Sequence, residues 1–144
     1  MQFTEKQQEV QEYYGKTLHD KESLQTNACV FGEKGFPEDQ MQIYLKIHEE
    51  IKQKFYGCGS PIPLGIKPGM TVVDLGCGTG RDVYIASGLV GETGRVIGVD
   101  MTEEQLATAR KHQEYHREQF GFSKSNVEFV KGSIDDLKSL GIAD

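Results

Sequence analysis

The residues best placed for chemistry lie in one short run, Asp74-Leu75-Gly76-Cys77-Gly78-Thr79-Gly80, with Asp100 at the end of the next apolar stretch. Alternate glycines permit a tight turn and let the backbone approach a ligand with no Cβ between them. Where such a turn joins a strand to a helix, the first N–H groups of the helix face the crevice beyond the strand. A carboxylate at the tip of the neighbouring strand can accept hydrogen bonds from both hydroxyls of a ribose. The chemistry indicated is recognition of a nucleoside cofactor. The loop reads G-x-G-x-G rather than the dinucleotide G-x-G-x-x-G, and no Gly-Lys-Ser/Thr follows it as a phosphate loop would need. Asp74 is a poor neighbour for a pyrophosphate and a good one for a cationic amino group. The competing structural reading is a tight strand–helix turn with no ligand.

Three cysteines are present, Cys29, Cys58 and Cys77. On spacing alone Cys29 and Cys58 read as small buried hydrophobes, since no C-x-x-C or histidine cluster accompanies them. Cys77, inside the glycine loop, reads as a small residue tolerated in a turn. His112 and His116 stand at helical i, i+4, but no carboxylate or cysteine completes a metal site, so a solvated or partly packed helix face is expected.

The elements that must position these residues fall into two parts, 1–68 and 69–144. The first is polar and helical in pattern. Thr4-x-x-Gln7 can form a capping box ahead of Val10, Tyr13 and Tyr14, with Gly15 as a stop or kink. A second helix is expected from Pro37 to about Gly57, with Met41, Leu45, His48, Ile51 and Phe55 on one face. Cys58 to Gly69, with Pro61, Pro63 and Pro68, reads as a loop. The second part alternates strands and helices. Thr71–Leu75 is a β-branched run suited to a buried parallel strand, Asp82 to Leu89 is helical, and Gly91 to Gly94 turn into a second strand, Arg95–Asp100. Thr102, paired with Gln105, caps a long helix whose face is Leu106, Ala109, Gln113, His116 and Phe120. Gly121 ends it, Asn126–Val130 is a third strand, and Ser133 to Leu140 is a short helix or turn.

Composition bounds the function. At 144 residues, 37% hydrophobic and 26% charged, the chain is one domain with a folded core. A net charge of -6 lacks the footprint of a nucleic-acid binder. No apolar run approaches the roughly 20 residues that span a bilayer. Met1 to Val10 hold no apolar h-region, and unpaired cysteines suit a reducing compartment, so a cytoplasmic location is expected.

The loop and its flanks resemble motif I of class I S-adenosylmethionine-dependent methyltransferases. The likeness narrows over Val10-Gln11-Glu12-Tyr13-Tyr14-Gly15, Leu24-Gln25-Thr26-Asn27-Ala28-Cys29, His48-Glu49-Glu50, Tyr56-Gly57-Cys58-Gly59, Asp74 to Asp82, Gly98-Val99-Asp100-Met101-Thr102, Tyr115-His116 and Gly121-Phe122. These segments resemble arsenite methyltransferases from Val10 to about Ile142. The resemblance implies methyl transfer from S-adenosylmethionine to trivalent arsenic held by cysteine thiolates, in the first, cofactor-binding portion of a Rossmann-like α/β fold. Soft arsenic suits soft thiolates. Its lone pair has no proton to lose, so positioning rather than a general base should supply much of the catalysis.

Carried over by residue, the resemblance implies that Gly76 and Gly78 contact the methionine part of the cofactor, with Asp74 and Gly80 counted among the cofactor-binding residues of the same loop. Asp100 would hold the ribose, Met101 would pack on the adenine, and Ile134 and Asp135 would flank the adenine and its amino group. Tyr13 and Tyr14 would cover the cofactor, although core aromatics are an equal reading. Asp135-Asp136 reads equally as a solvated helix start. Cys29 and Cys58 match the first two of four cysteines that bind arsenic and relay disulfides in the family. The other two do not occur in this sequence, and only three of the family's seven strands are legible, so the chain is expected to be an N-terminal portion that does not turn over alone. The edge Val72-Val73-Asp74-Leu75 would then be bare and open to self-association. Implied partners are arsenite, methylated trivalent arsenic or its thiol conjugates, and a cellular thiol reductant, with no nucleic acid and no membrane. Two alternatives stand beside this one: a methyltransferase for a carbon, nitrogen or oxygen acceptor, and a non-catalytic cofactor-binding fragment.

Overall fold

The computed structural model describes residues 36–55 and 61–136, with 138 and 141. Tyr13, Tyr14, Cys29, Cys58 and the helix expected from Thr4 lie outside the described residues. In chain order the elements are α1 (Glu38–Tyr44), α2 (Glu49–Gln53), β1 (Thr71–Leu75), α3 (Arg81–Val90), β2 (Arg95–Asp100), α4 (Glu103–Lys111), α5 (Gln113–Phe120) and β3 (Val127–Lys131).

The three strands form one parallel sheet in the order β1-β2-β3. Parallel neighbours need crossovers, and right-handed crossovers running in one direction put both connecting helices on the same face. The packing agrees, since Val83, Ile85, Leu106 and Ala109 share one core with Val96, Val127 and Phe129. The same core takes in Tyr44, Ile47 and Ile51 from the α1–α2 segment. Gly98, at the centre of β2, is required by this closeness: a Cβ there would meet Cys77 Sγ and Val83 Cγ2, each at 2.9 Å. Along β1, Val73 and Leu75 remain 39% and 44% exposed at the sheet edge.

Two long helices of the sequence reading are each broken in two. The expected Pro37–Gly57 helix stops at Tyr44 and restarts at Glu49, because His48 is extended (φ -60°, ψ 138°) and its Nδ1 accepts from the Glu50 N–H. Its buried face is Gln40, Tyr44, Ile47 and Ile51, whereas Leu45 is exposed. The second break falls at His112, between α4 and α5. Thr102 occupies the N-cap of α4 but makes no side-chain cap bond, so the capping box with Gln105 does not form. His112 and His116 are buried rather than solvated. Gly121 ends α5 in the left-handed region (φ 72°), as its lack of a Cβ allows. After β3 the chain turns at Ile134–Asp135, where Asp136 N–H bonds the Ser133 carbonyl.

Candidate active site

The register of the sheet decides where the chemistry sits. Leu75 pairs with Val99 at the tip of β1, so the glycine turn that follows comes level with Asp100 at the tip of β2. Gly76, Gly78 and Gly80 all have positive φ (77°, 57° and 93°), which explains why the turn needs three residues without a Cβ. Asp100 accepts the Gly78 N–H on Oδ1 at 3.2 Å and the Thr102 N–H on Oδ2 at 2.9 Å. One carboxylate thus fastens the turn to β2 and begins α4. The Thr102 side chain bonds the same carboxylate, and of its roughly four acceptor sites those not taken by these bonds remain for a ligand.

The N–H groups of the turn itself, ahead of the helix, are taken up within the fold. Gly76 and Cys77 N–H both bond the Val99 carbonyl (2.7 and 3.0 Å), Gly78 N–H bonds Asp100, and Gly80 N–H bonds the Cys77 carbonyl. These four donors are used in building the turn. A phosphate would want them free, whereas a cation would not, so the geometry agrees with the exclusion of a pyrophosphate. The crevice side of the turn is open: a Cβ built on Gly76 would meet no atom within 4 Å.

Electrostatics points the same way. Burial, reinforced by Asp82 and Asp100, pushes the Asp74 carboxyl up to about 6, with Arg81 opposing. Burial also raises Asp82, against the pull of Arg81, and raises Asp100, against its bonds from Thr102 and Gly78. Three carboxyl groups held above their ordinary range form a field that an ammonium or sulfonium would relieve. The residues therefore fit a cationic nucleoside cofactor. Cys77 is buried, and burial together with Asp100 and Asp74 pushes its thiol well up, so it stays protonated and plays a packing role.

The other described site residues, Met101, Ile134 and Asp135, follow the tips of β2 and β3. Met101 follows Asp100 and is half-buried. The Asp100 carbonyl accepts the Gly132 N–H at 3.0 Å, which ties the exit of β3 to the exit of β2. Ile134, two residues on, is exposed, and Asp135 N–H bonds Ser133 Oγ at 3.2 Å. Asp74, Gly76, Gly78, Asp100 and Met101 thus lie at this end of the sheet, with Ile134 and Asp135 on the adjoining turn. Gly80, by contrast, is buried and a Cβ on it would meet Phe129 and Ala109, so its bare Cα serves the packing of the turn on the core.

Two residues gain a part in the site that the sequence reading does not give them: Thr102, expected only as a helix cap, and Arg81. Thr102 completes an Asx-type turn with Asp100, and the Asp-x-Thr spacing ahead of a helix carries that signal. Arg81, the first residue of α3, is 1% exposed; its guanidinium lies 3.2 Å from the Phe55 ring centroid and 5.0 Å from that of Phe36. Its Nε and Nη2 both donate to Asp82 Oδ1, at 3.0 and 2.9 Å. A cation at a helix N-terminus opposes the helix dipole, and that conflict was its only trace in the sequence.

Comparison with known proteins agrees with this geometry. A methyltransferase-domain family model matches residues 66–144. The human arsenite methyltransferase is 44% identical over 136 residues, covering 94% of this chain and 36% of that protein. The Aquipseudomonas alcaligenes arsenite methyltransferase is 46% identical over 135 residues, covering 94% of this chain and 38% of its own length. The crystal structure of an arsenic(III) S-adenosylmethionine methyltransferase from Chlamydomonas reinhardtii superposes with a TM-score of 0.72 at 46% identity, covering 76% of this chain and 36% of that one. The chain spans a little over a third of the length of these relatives. The family model covers more than half of the sequence, including all three strands, the glycine turn and Asp100. The chain belongs to the methyltransferase-domain family.

Proposed function

We propose that this chain binds S-adenosylmethionine and carries the donor side of methyl transfer to trivalent arsenic. The observation that carries the donor half is the Asp100 carboxylate at the tip of β2, hydrogen-bonded at 3.2 Å to the Gly78 N–H of the glycine turn that leaves β1. The acceptor half is supported by the high identity to arsenite methyltransferases along nearly the whole chain. When bound, S-adenosylmethionine supplies a methyl group activated by a sulfonium.

In this reading Asp74, with Asp82 beside it, attracts the cationic methionine end, and the bare Gly76 turn gives it room. Asp100 uses its remaining acceptor directions for the ribose hydroxyls. Met101 and Ile134 flank the adenine, and Asp135 accepts from its amino group. Tyr13 and Tyr14 cover the site.

Cys29 and Cys58 hold the substrate as thiolates and relay a disulfide. With S-adenosylmethionine bound, the arsenic lone pair would take the methyl as the S–C electron pair returns to sulfur, and the two electrons arsenic gives up would be restored by the thiolates as they close a disulfide. A cellular thiol acts as reductant. A reducing cytoplasm is the matching compartment. Among the described residues no helix is long and apolar enough to cross a membrane. The open β1 edge, with Val73 and Leu75, is a surface for self-association.

The test is transfer of labelled methyl to arsenite, with thiol reductant, by the longest natural form of the protein. Arsenite-dependent label that is lost in Cys58→Ser is the expected result. Label appearing on another acceptor, or arsenic methylation untouched in Cys58→Ser, would overturn the acceptor assignment.

A further inference from the structure

Three imidazoles meet where the two helix breaks touch. His116 is 1% exposed and stacks on Tyr84 of α3, with ring centroids 3.7 Å apart. Its Nδ1 lies 2.7 Å from the His112 carbonyl, and its Nε2 accepts the His48 backbone N–H at 3.2 Å. A carbonyl only accepts, so the Nδ1 must carry the proton, and a backbone N–H only donates, so the Nε2 must be bare. His48 stacks on His112 at 3.8 Å and uses its own Nδ1 to accept the Glu50 N–H. His112 Nε2 meets Glu50 Oε1 at 2.6 Å.

We infer that His48, His112 and His116 form an acid-labile latch that fastens the α1–α2 segment to the methyltransferase domain only while His48 and His116 are neutral. A proton on His116 Nε2 would face the His48 N–H, and a proton on His48 Nδ1 would face the Glu50 N–H. Either event breaks a bond that joins or shapes the docked segment.

The charged and titratable groups around the latch are Glu49, Glu50 and Lys54 on the α2 side, Lys111, His112 and Tyr115 at the α4–α5 break, and Tyr84 on α3. Burial holds His116 down to about 4, and burial with His112 lowers His48. Released imidazoles therefore take up protons first on acidification. The latch is fully closed above about pH 6.5 and weakens as pH falls toward 4. Glu50, held down to about 2 by His112, stays ionised across that window and does not account for the change.

The test is hydrogen exchange by NMR at the His48 and Glu50 amides of the whole chain, corrected for the intrinsic pH dependence of exchange. From the His116 value, local opening should rise about 20-fold between pH 7 and pH 5. In His116→Phe, which can still stack on Tyr84 but cannot take a proton, the rise at His48 should shrink to a few-fold. A flat wild-type profile, or an unchanged rise in His116→Phe, would overturn the latch. The wild-type imidazole spectrum gives a readout independent of the variant: His116 should be the Nδ1–H tautomer at pH 7 and titrate below pH 5. An Nε2–H tautomer or a midpoint near 6.5 would refute the inference.

Discussion

Replacing Asp74 by Asn should make the chain more stable and a poorer cofactor binder. The carboxyl is pushed up to about 6 from an ordinary 3.8 by burial and by Asp82 and Asp100. Its protonated form is therefore favoured by folding, and the folded chain binds more protons than the unfolded one between those values. Stability falls as pH rises through that range and is flat above it. At about 1.4 kcal/mol for each tenfold change, removing the charge could return at most about 3 kcal/mol at pH 7. Asp74 is only half-buried, and solvent screening brings this to about 1–2 kcal/mol. Urea unfolding at pH 7 should show that gain, and at pH 3.5, where both forms are neutral, the gain should vanish. The same variant should lose affinity for S-adenosylmethionine, the usual exchange of stability for function at a strained site. A loss of stability at pH 7, or an equal gain at both pH values, would refute the electrostatic reading of the crevice.

Gly76→Ala places a Cβ toward open space but at φ 77°, so strain of about 1–2 kcal/mol should lower the urea midpoint, and calorimetry should show weaker cofactor binding. Arg81→Met removes the cation from between Phe36 and Phe55 and leaves Asp82 without its ion pair. A loss of about 3 kcal/mol is expected in urea unfolding, with Arg81→Lys recovering part of it, because breaking one side of a buried pair strands the other charge.

The strand–turn–strand core was legible because two short β-branched runs bracket a glycine turn, and parallel register then carries Asp100 to the level of Gly76 without further information. The breaks at His48 and His112 were not legible. The apolar spacing continues through both positions, so the 3.6-residue period predicts unbroken helices. At His48 the extended backbone is held by its own Nδ1 on the Glu50 N–H and by its N–H on His116 Nε2, a partner 68 residues away that the apolar spacing does not encode. Arg81 was hidden for a related reason: its burial depends on Phe36 and Phe55 closing over it from another segment. The use of the loop N–H groups within the turn depends on the Val99 carbonyl, which lies on a strand that the loop itself does not contain. Cys29, Cys58, Tyr13 and Tyr14 lie outside the described residues, so their placing in the site rests on sequence alone.

The central claim is that Asp100 and the glycine turn make one cradle for a sulfonium nucleoside. Isothermal calorimetry with S-adenosylmethionine tests it most directly, comparing the natural chain with Asp100→Ala after checking that both are folded. Hydrogen bonds to a charged group contribute about 1.5–3 kcal/mol, so the variant should bind roughly 10- to 100-fold more weakly. Equal affinity in the two proteins, or no binding by the natural chain, would contradict the account.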